Sequence, residues 1–84
     1  MGGKDRQYTT LRVVLYFAFA PDEVLTAADM RDKFADIMPA KQSISGYLRA
    51  SLRNGLLRQW AEPGIGQVWG AGPKLRELVR GKIQ

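Results

Sequence analysis

The stretch Ser43-Ile44-Ser45-Gly46-Tyr47-Leu48-Arg49-Ala50-Ser51-Leu52-Arg53-Asn54-Gly55-Leu56-Leu57 carries two patterns at once. At about 100° per residue, Ile44, Leu48 and Leu52 gather with Tyr47, Ser51 and Gly55 on one side, while Gln42, Ser45, Gly46, Arg49 and Arg53 fall on the other. The first side has the spacing of a buried helical stripe. The second has no acid on it and is built from residue types that read nucleic acid. Arg donates two hydrogen bonds to guanine, Gln pairs with adenine, and Ser or Lys takes a base edge or a phosphate. The spacing predicts a helix from about Ala40 or Lys41 to Asn54, stopped where Gly55 takes the left-handed C-terminal conformation. Gly46 in mid-helix costs about 1 kcal/mol relative to Ala. Close approach of the backbone to a groove would explain it, and its angular position argues against close packing on another helix.

Upstream, Thr26 can cap a second helix, with Asp29 three residues on favouring the positive end of the dipole. Ala27, Met30, Phe34, Ile37 and Met38 form its apolar stripe, and Pro39 breaks it. Asp29, Asp32 and Asp36 fall opposite, interleaved with Arg31 and Lys33, which reads as a solvated face rather than a carboxylate cluster for a metal. Before that, a first helix is expected from about Thr10 to Ala20, ended by Pro21, with residues 1–8 as a flexible tail. Leu11, Val14, Leu15, Ala18 and Phe19 make its stripe, but Val13, Tyr16 and Phe17 lie off it. A helix apolar over more than half its circumference is either central in the domain or also in contact with a second copy.

Downstream, Leu56 to Gln59 and Gln67 to Gly70 read as two strands joined by a turn rich in Pro and Gly, Ala61 to Gly66. Trp60 and Trp69, near the hairpin ends, could be base-stacking platforms; closure of the core beneath the sheet is the plainer reading. Pro73 is placed to start a last helix through Leu75, Leu78 and Val79, ending near Gly81, with residues 81–84 flexible. The whole is expected to be a single domain, mainly α with a small β-hairpin.

Composition bounds the chemistry. With 84 residues, no Cys and no His, the chain has neither a disulfide framework nor the usual zinc ligands, so packing must hold it together. The same absences remove Ser–His and Cys–His nucleophile pairs and weigh against an enzyme; no catalytic residue, metal, cofactor or small-molecule ligand is expected. The longest apolar run, Val13 to Ala20, falls short of a membrane span, and the start lacks the pattern of a signal peptide or an acylation site, so a cytoplasmic protein is expected. Residues 1–40 carry five cations against six anions, whereas residues 41–84 carry eight against two. This concentrates the net charge of +5 in the second half and suits a polyanionic partner.

The order of these elements, with Leu25-Thr26-Ala27-Ala28-Asp29-Met30 to Phe34, the break at Met38-Pro39, the Ile44-Ser45 opening and the Asn54-Gly55-Leu56-Leu57 exit, resembles a winged helix-turn-helix domain of the bacterial or phage regulator kind. The resemblance spans about Thr9 to Val79 and implies a three-helix core plus a wing and a short C-terminal helix. It implies that the third helix lies in the major groove of double-stranded DNA, with Lys41, Gln42, Ser45 and Arg49 facing bases or phosphates, Gly46 at the groove and Arg53 on the backbone. The wing would run from Glu62 to Gly66 through Gly64, with Arg58 and Gln67 on its arms. Its tip departs from the family pattern in carrying no Lys or Arg. The implied activity is sequence-specific DNA binding by a small transcriptional regulator, with a homodimer through the first helix as one arrangement. A winged-helix module that binds another protein, or an architectural DNA binder in replication or packaging, would use the same parts.

Overall fold

Local signals at the helix ends set the element boundaries in a computed structural model that describes residues 2–38 and 43–83. Helix α1 (Gly2–Phe19) ends before Pro21, with the Ala20 amide bonded to the Tyr16 carbonyl at 3.0 Å. It begins eight residues earlier than Thr10, so the stretch expected as a tail is helical from Gly2. Strand β1 (Val24–Thr26) follows, and Thr26 then caps helix α2 (Ala27–Lys33). The Thr26 hydroxyl accepts from the Asp29 amide at 3.0 Å, the expected cap, and Asp29 Oδ2 also accepts from the Thr26 amide at 3.2 Å, which completes a reciprocal box.

In place of one long third helix there are two short ones, α3 (Ile44–Tyr47) and α4 (Arg49–Arg53). Ser43 caps α3 by accepting from the Gly46 amide at 3.0 Å, and Leu48, at φ −107° and ψ 23°, separates the pair. The segment still buries the side expected of it: Ile44, Tyr47, Leu48 and Ser51 are all buried. Gly46 finds a local explanation, because a Cβ there would stand 2.8 Å from the Ser43 hydroxyl that caps the helix. Gly55 ends α4 at φ +82°, and the Leu56 amide donates to Asn54 Oδ1 at 3.1 Å.

Strands β2 (Leu57–Glu62) and β3 (Gly66–Ala71) are longer than expected and turn over three residues, Pro63 to Ile65, with Gly64 and Gly66 at positive φ. The sheet has three strands in the order β1-β3-β2, all antiparallel; β1 pairs Leu25 with Trp69, and β2 pairs Leu57 with Ala71. Helix α5 (Pro73–Ile83) opens on Pro73 and continues past Gly81. Its Arg76 donates to the Pro21 carbonyl at 2.9 Å and pairs with Asp22 at 3.4 Å, tying the helix to the turn after α1.

The core lies between the helices and one face of the sheet, where Phe17, Met30, Phe34, Leu48, Leu57 and Trp69 pack together. In α1 the buried positions are Thr9, Val13 and Phe17, while Leu11, Leu15 and Phe19 are 55%, 44% and 87% exposed. That corrects the expected stripe, whose Leu11, Leu15 and Phe19 stand two residues, or about 200°, from the buried ones. Tertiary contacts select the side. Tyr16 meets Phe17 and Phe34 edge-on at centroid distances of 5.3 and 5.9 Å, and the buried Thr9 hydroxyl donates to the Ile37 carbonyl at 3.0 Å. The two tryptophans also part company. Trp69 is fully buried on the core face, but Trp60 sits opposite Val68 on the other face, its indole N–H donating to Glu62 at 2.8 Å. Gly70 leaves room for that indole, since a Cβ there would lie 3.0 Å from the Trp60 ring.

Candidate nucleic-acid interface

The capping and burial of α3 and α4 decide which side chains face outward. With Ile44, Tyr47, Leu48 and Ser51 turned inward, Gly46, Arg49 and Arg53 are exposed and Ser45 is half-buried. Arg49 and Arg53 stand one turn apart on α4, the second of them in the last turn, where a cation favours the negative end of the helix dipole. Lys41 and Gln42 lie outside the described residues.

Arg53 borders two depressions. The first, about 780 Å³, lies between the end of α4, strand β2 and helix α5, and Arg53, Arg58 and Lys74 line it with one acid, Glu77. The second, about 630 Å³, lies between α1 and the α3–α4 pair, and among the described residues Arg6, Arg49 and Arg53 line it with no acid. The shared Arg53 therefore joins Arg6 and Arg49 to Arg58 and Lys74 in one basic band. Among the described residues the salt bridges Arg12–Asp36, at 3.7 Å, and Arg76–Asp22 lie outside this band. Two of its guanidiniums rest on rings instead: Arg6 lies 5.0 Å from the Tyr47 centroid and Arg58 lies 4.6 Å from that of Trp60. Such stacking orients an Arg while leaving its charge unneutralised.

Arg6 and Lys74 escape a reading by periodicity. Arg6 falls in the stretch expected as a tail, and becomes part of the band because α1 begins at Gly2. Lys74 has no like charge three or four residues away on its helix, and comes beside Arg53 because the start of α5 packs against the Gly55 turn at the end of α4. The Lys74 amide donates to the Gly55 carbonyl at 3.0 Å.

The hairpin contributes less charge. Gly64 and Gln67 are exposed, neither lines the two depressions, and the tip presents Ile65, 62% exposed. On α2 Asp29 is engaged in its cap, in the turn after α2 Asp36 pairs with Arg12, and among the described residues no three Asp or Glu side chains converge as metal ligands. No described helix is long and apolar enough to cross a membrane.

Comparison of the chain with protein-family models, curated proteins and solved structures found no match.

Proposed function

We propose that this chain is a winged helix-turn-helix protein that binds double-stranded DNA at a short specific site and regulates transcription by occupying it. The observation that carries the reading is the band Arg6–Arg49–Arg53–Arg58–Lys74, continuous through Arg53 and, among the described residues, interrupted by a single acid, Glu77. A duplex backbone is a line of negative charge, and a line of unpaired cations along one side of a small domain is its complement. The element order supports the same reading: a helix, a short strand, three helical elements and a hairpin follow one another, the order of that family with its third helix divided into α3 and α4.

In this arrangement α3 and α4 enter the major groove with Ser45, Gly46 and Arg49 toward the bases, and Arg53 with Arg58 and Lys74 grips the backbone. The β2–β3 hairpin is the wing, contributing Gln67 and the Gly64 turn rather than charge. The exposed apolar residues of α1 outside the depression against α3 and α4, Leu15 and Phe19, favour pairing of two copies, which would place two recognition elements on two half-sites.

Selection of duplexes from a random pool at near-physiological salt tests the reading. An enriched sequence supports it, and a two-fold repeat within that sequence supports the pair. Retention without enrichment replaces specificity with an architectural role, and no retention overturns DNA binding. For the pair, Phe19→Ser should shift sedimentation from dimer to monomer without loss of helical signal, because Phe19 contributes little to the core.

A further inference from the structure

The depression between α1 and the α3–α4 pair is more than a stretch of the basic band. Its floor is apolar, formed by Leu11, Val14, Tyr47 and Leu56, and its rim carries Arg6, Arg49 and Arg53, with no Asp or Glu among the described residues. At about 630 Å³ it falls within the range of small-molecule sites. Phosphates of a duplex would pair with the rim, but they are strongly hydrated and gain nothing from an apolar floor. The side chains beneath are not sealed by the protein itself: Leu11 is 55% exposed. Burying such a floor is favourable in proportion to its area. The cations on its rim are arginines, and an Arg fork can hold a carboxylate by two parallel hydrogen bonds.

We propose that this cleft binds a small amphiphilic anion, a carboxylate carried on a flat aromatic or short branched apolar body. Arg49 and Arg53, one helical turn apart, hold the carboxylate. The body covers Leu11, Val14 and Leu56. Arg6, stacked on the Tyr47 ring at 5.0 Å, closes one end. Each half of the ligand is needed: a neutral body gains the floor without the arginines, and a bare carboxylate gains the arginines without the floor. The inference stands independently of DNA binding, because its test contains no DNA.

Titration of the isotope-labelled full chain with 2-naphthoate at about 150 mM salt, followed by amide chemical shifts, tests it. Saturable shifts are expected at Gly46, Arg49 and Ala50. Binding of neutral 2-acetylnaphthalene and of acetate should be at least about tenfold weaker. Arg49→Ala should weaken naphthoate binding by about tenfold or more, the scale of a lost charge-assisted hydrogen bond. Ala50→Phe, which fills the cleft from an exposed position, should abolish it while the hairpin amides stay in place. The proposal is overturned by shifts confined to Tyr8, Leu15 and Phe19, by equal binding of the neutral or the bare analogue, by unchanged affinity in Arg49→Ala, or by no shift up to millimolar naphthoate.

Discussion

At Gly72 a Cβ would fall inside the Gly55 carbonyl and 2.9 Å from the Leu57 carbonyl oxygen. The contact is backbone on backbone, so no side chain can rotate out of the way, and the Gly72 amide is held by the Leu56 carbonyl at 2.9 Å. Gly72→Ala should therefore cost about 1–3 kcal/mol, as overpacked sites do, and lower the urea midpoint at unchanged slope. An unchanged midpoint would mean that the end of β3 is free to shift. Tyr16 gives a test of a different kind. Its hydroxyl donates to Glu23 at 2.9 Å, and that bond, followed by partial desolvation, raises its pKa above the ordinary value. The fold thus prefers the protonated phenol. That preference contributes stability in full below the unfolded value near about pH 10, and it is lost as pH rises through the folded value. Tyr16→Phe should cost at most about 1 kcal/mol at neutral pH, since the bond is exposed. The wild-type advantage, read as the difference in urea midpoints, should shrink above about pH 10.

Element by element, the signals that could be read are those settled within a few residues. The Thr26 cap, the Gly55 stop and the Pro73 start each follow from chemistry contained in about one turn of chain, and the inward side of Ile44 to Ser51 from about two. Choices made by distant partners could not be read. The sequence of α1 is apolar on two sides, and partners distant in the chain, among them Phe34 against Tyr16, Ile37 bonded to Thr9 and the core residues Met30, Leu48 and Trp69, select Val13 and Phe17 for burial. Strand β1 is three residues long and exists because β3 offers it a partner. The break at Leu48 was hidden for another reason: Gly46, two residues earlier, weakens the helix, but the periodicity passes through unaltered. At this scale the functional reading rests on α4. Arg49→Ala should reduce DNA affinity by about tenfold or more and relax base preference, the loss expected of a base-reading Arg. Arg80→Ala, on the exposed side of α5 and outside the band, should leave both nearly unchanged. Lys74 is unsuitable as a control because it shares a depression with Arg53 and Arg58. Comparable losses from Arg49→Ala and Arg80→Ala would remove α4 from the interface.

For the molecule as a whole, the lopsided charge of the sequence is legible by counting, but its arrangement is not. Arg6 comes from the half of the chain with a net negative balance, and folding moves it beside Arg49 and Arg53. The gathered band leads to a joint prediction about salt and ligand. If Arg53, Arg58 and Lys74 meet phosphates, three contacts give a slope of about −2.7 in log affinity against log salt concentration. A fourfold rise in salt then weakens DNA binding by about fortyfold. Naphthoate in the α1–α4 cleft shares Arg49 and Arg53 with the duplex, so the two should compete. DNA affinity should fall in proportion to naphthoate once the cleft is saturated, and 2-acetylnaphthalene at the same concentration should have little effect. Binding energetics require the reverse as well, since each ligand must weaken the other by the same factor. Saturating duplex should therefore displace naphthoate from Gly46 and Ala50 in the amide spectrum. A complex in which both are bound at full affinity would show that the arginines of the cleft rim are not those that hold the DNA.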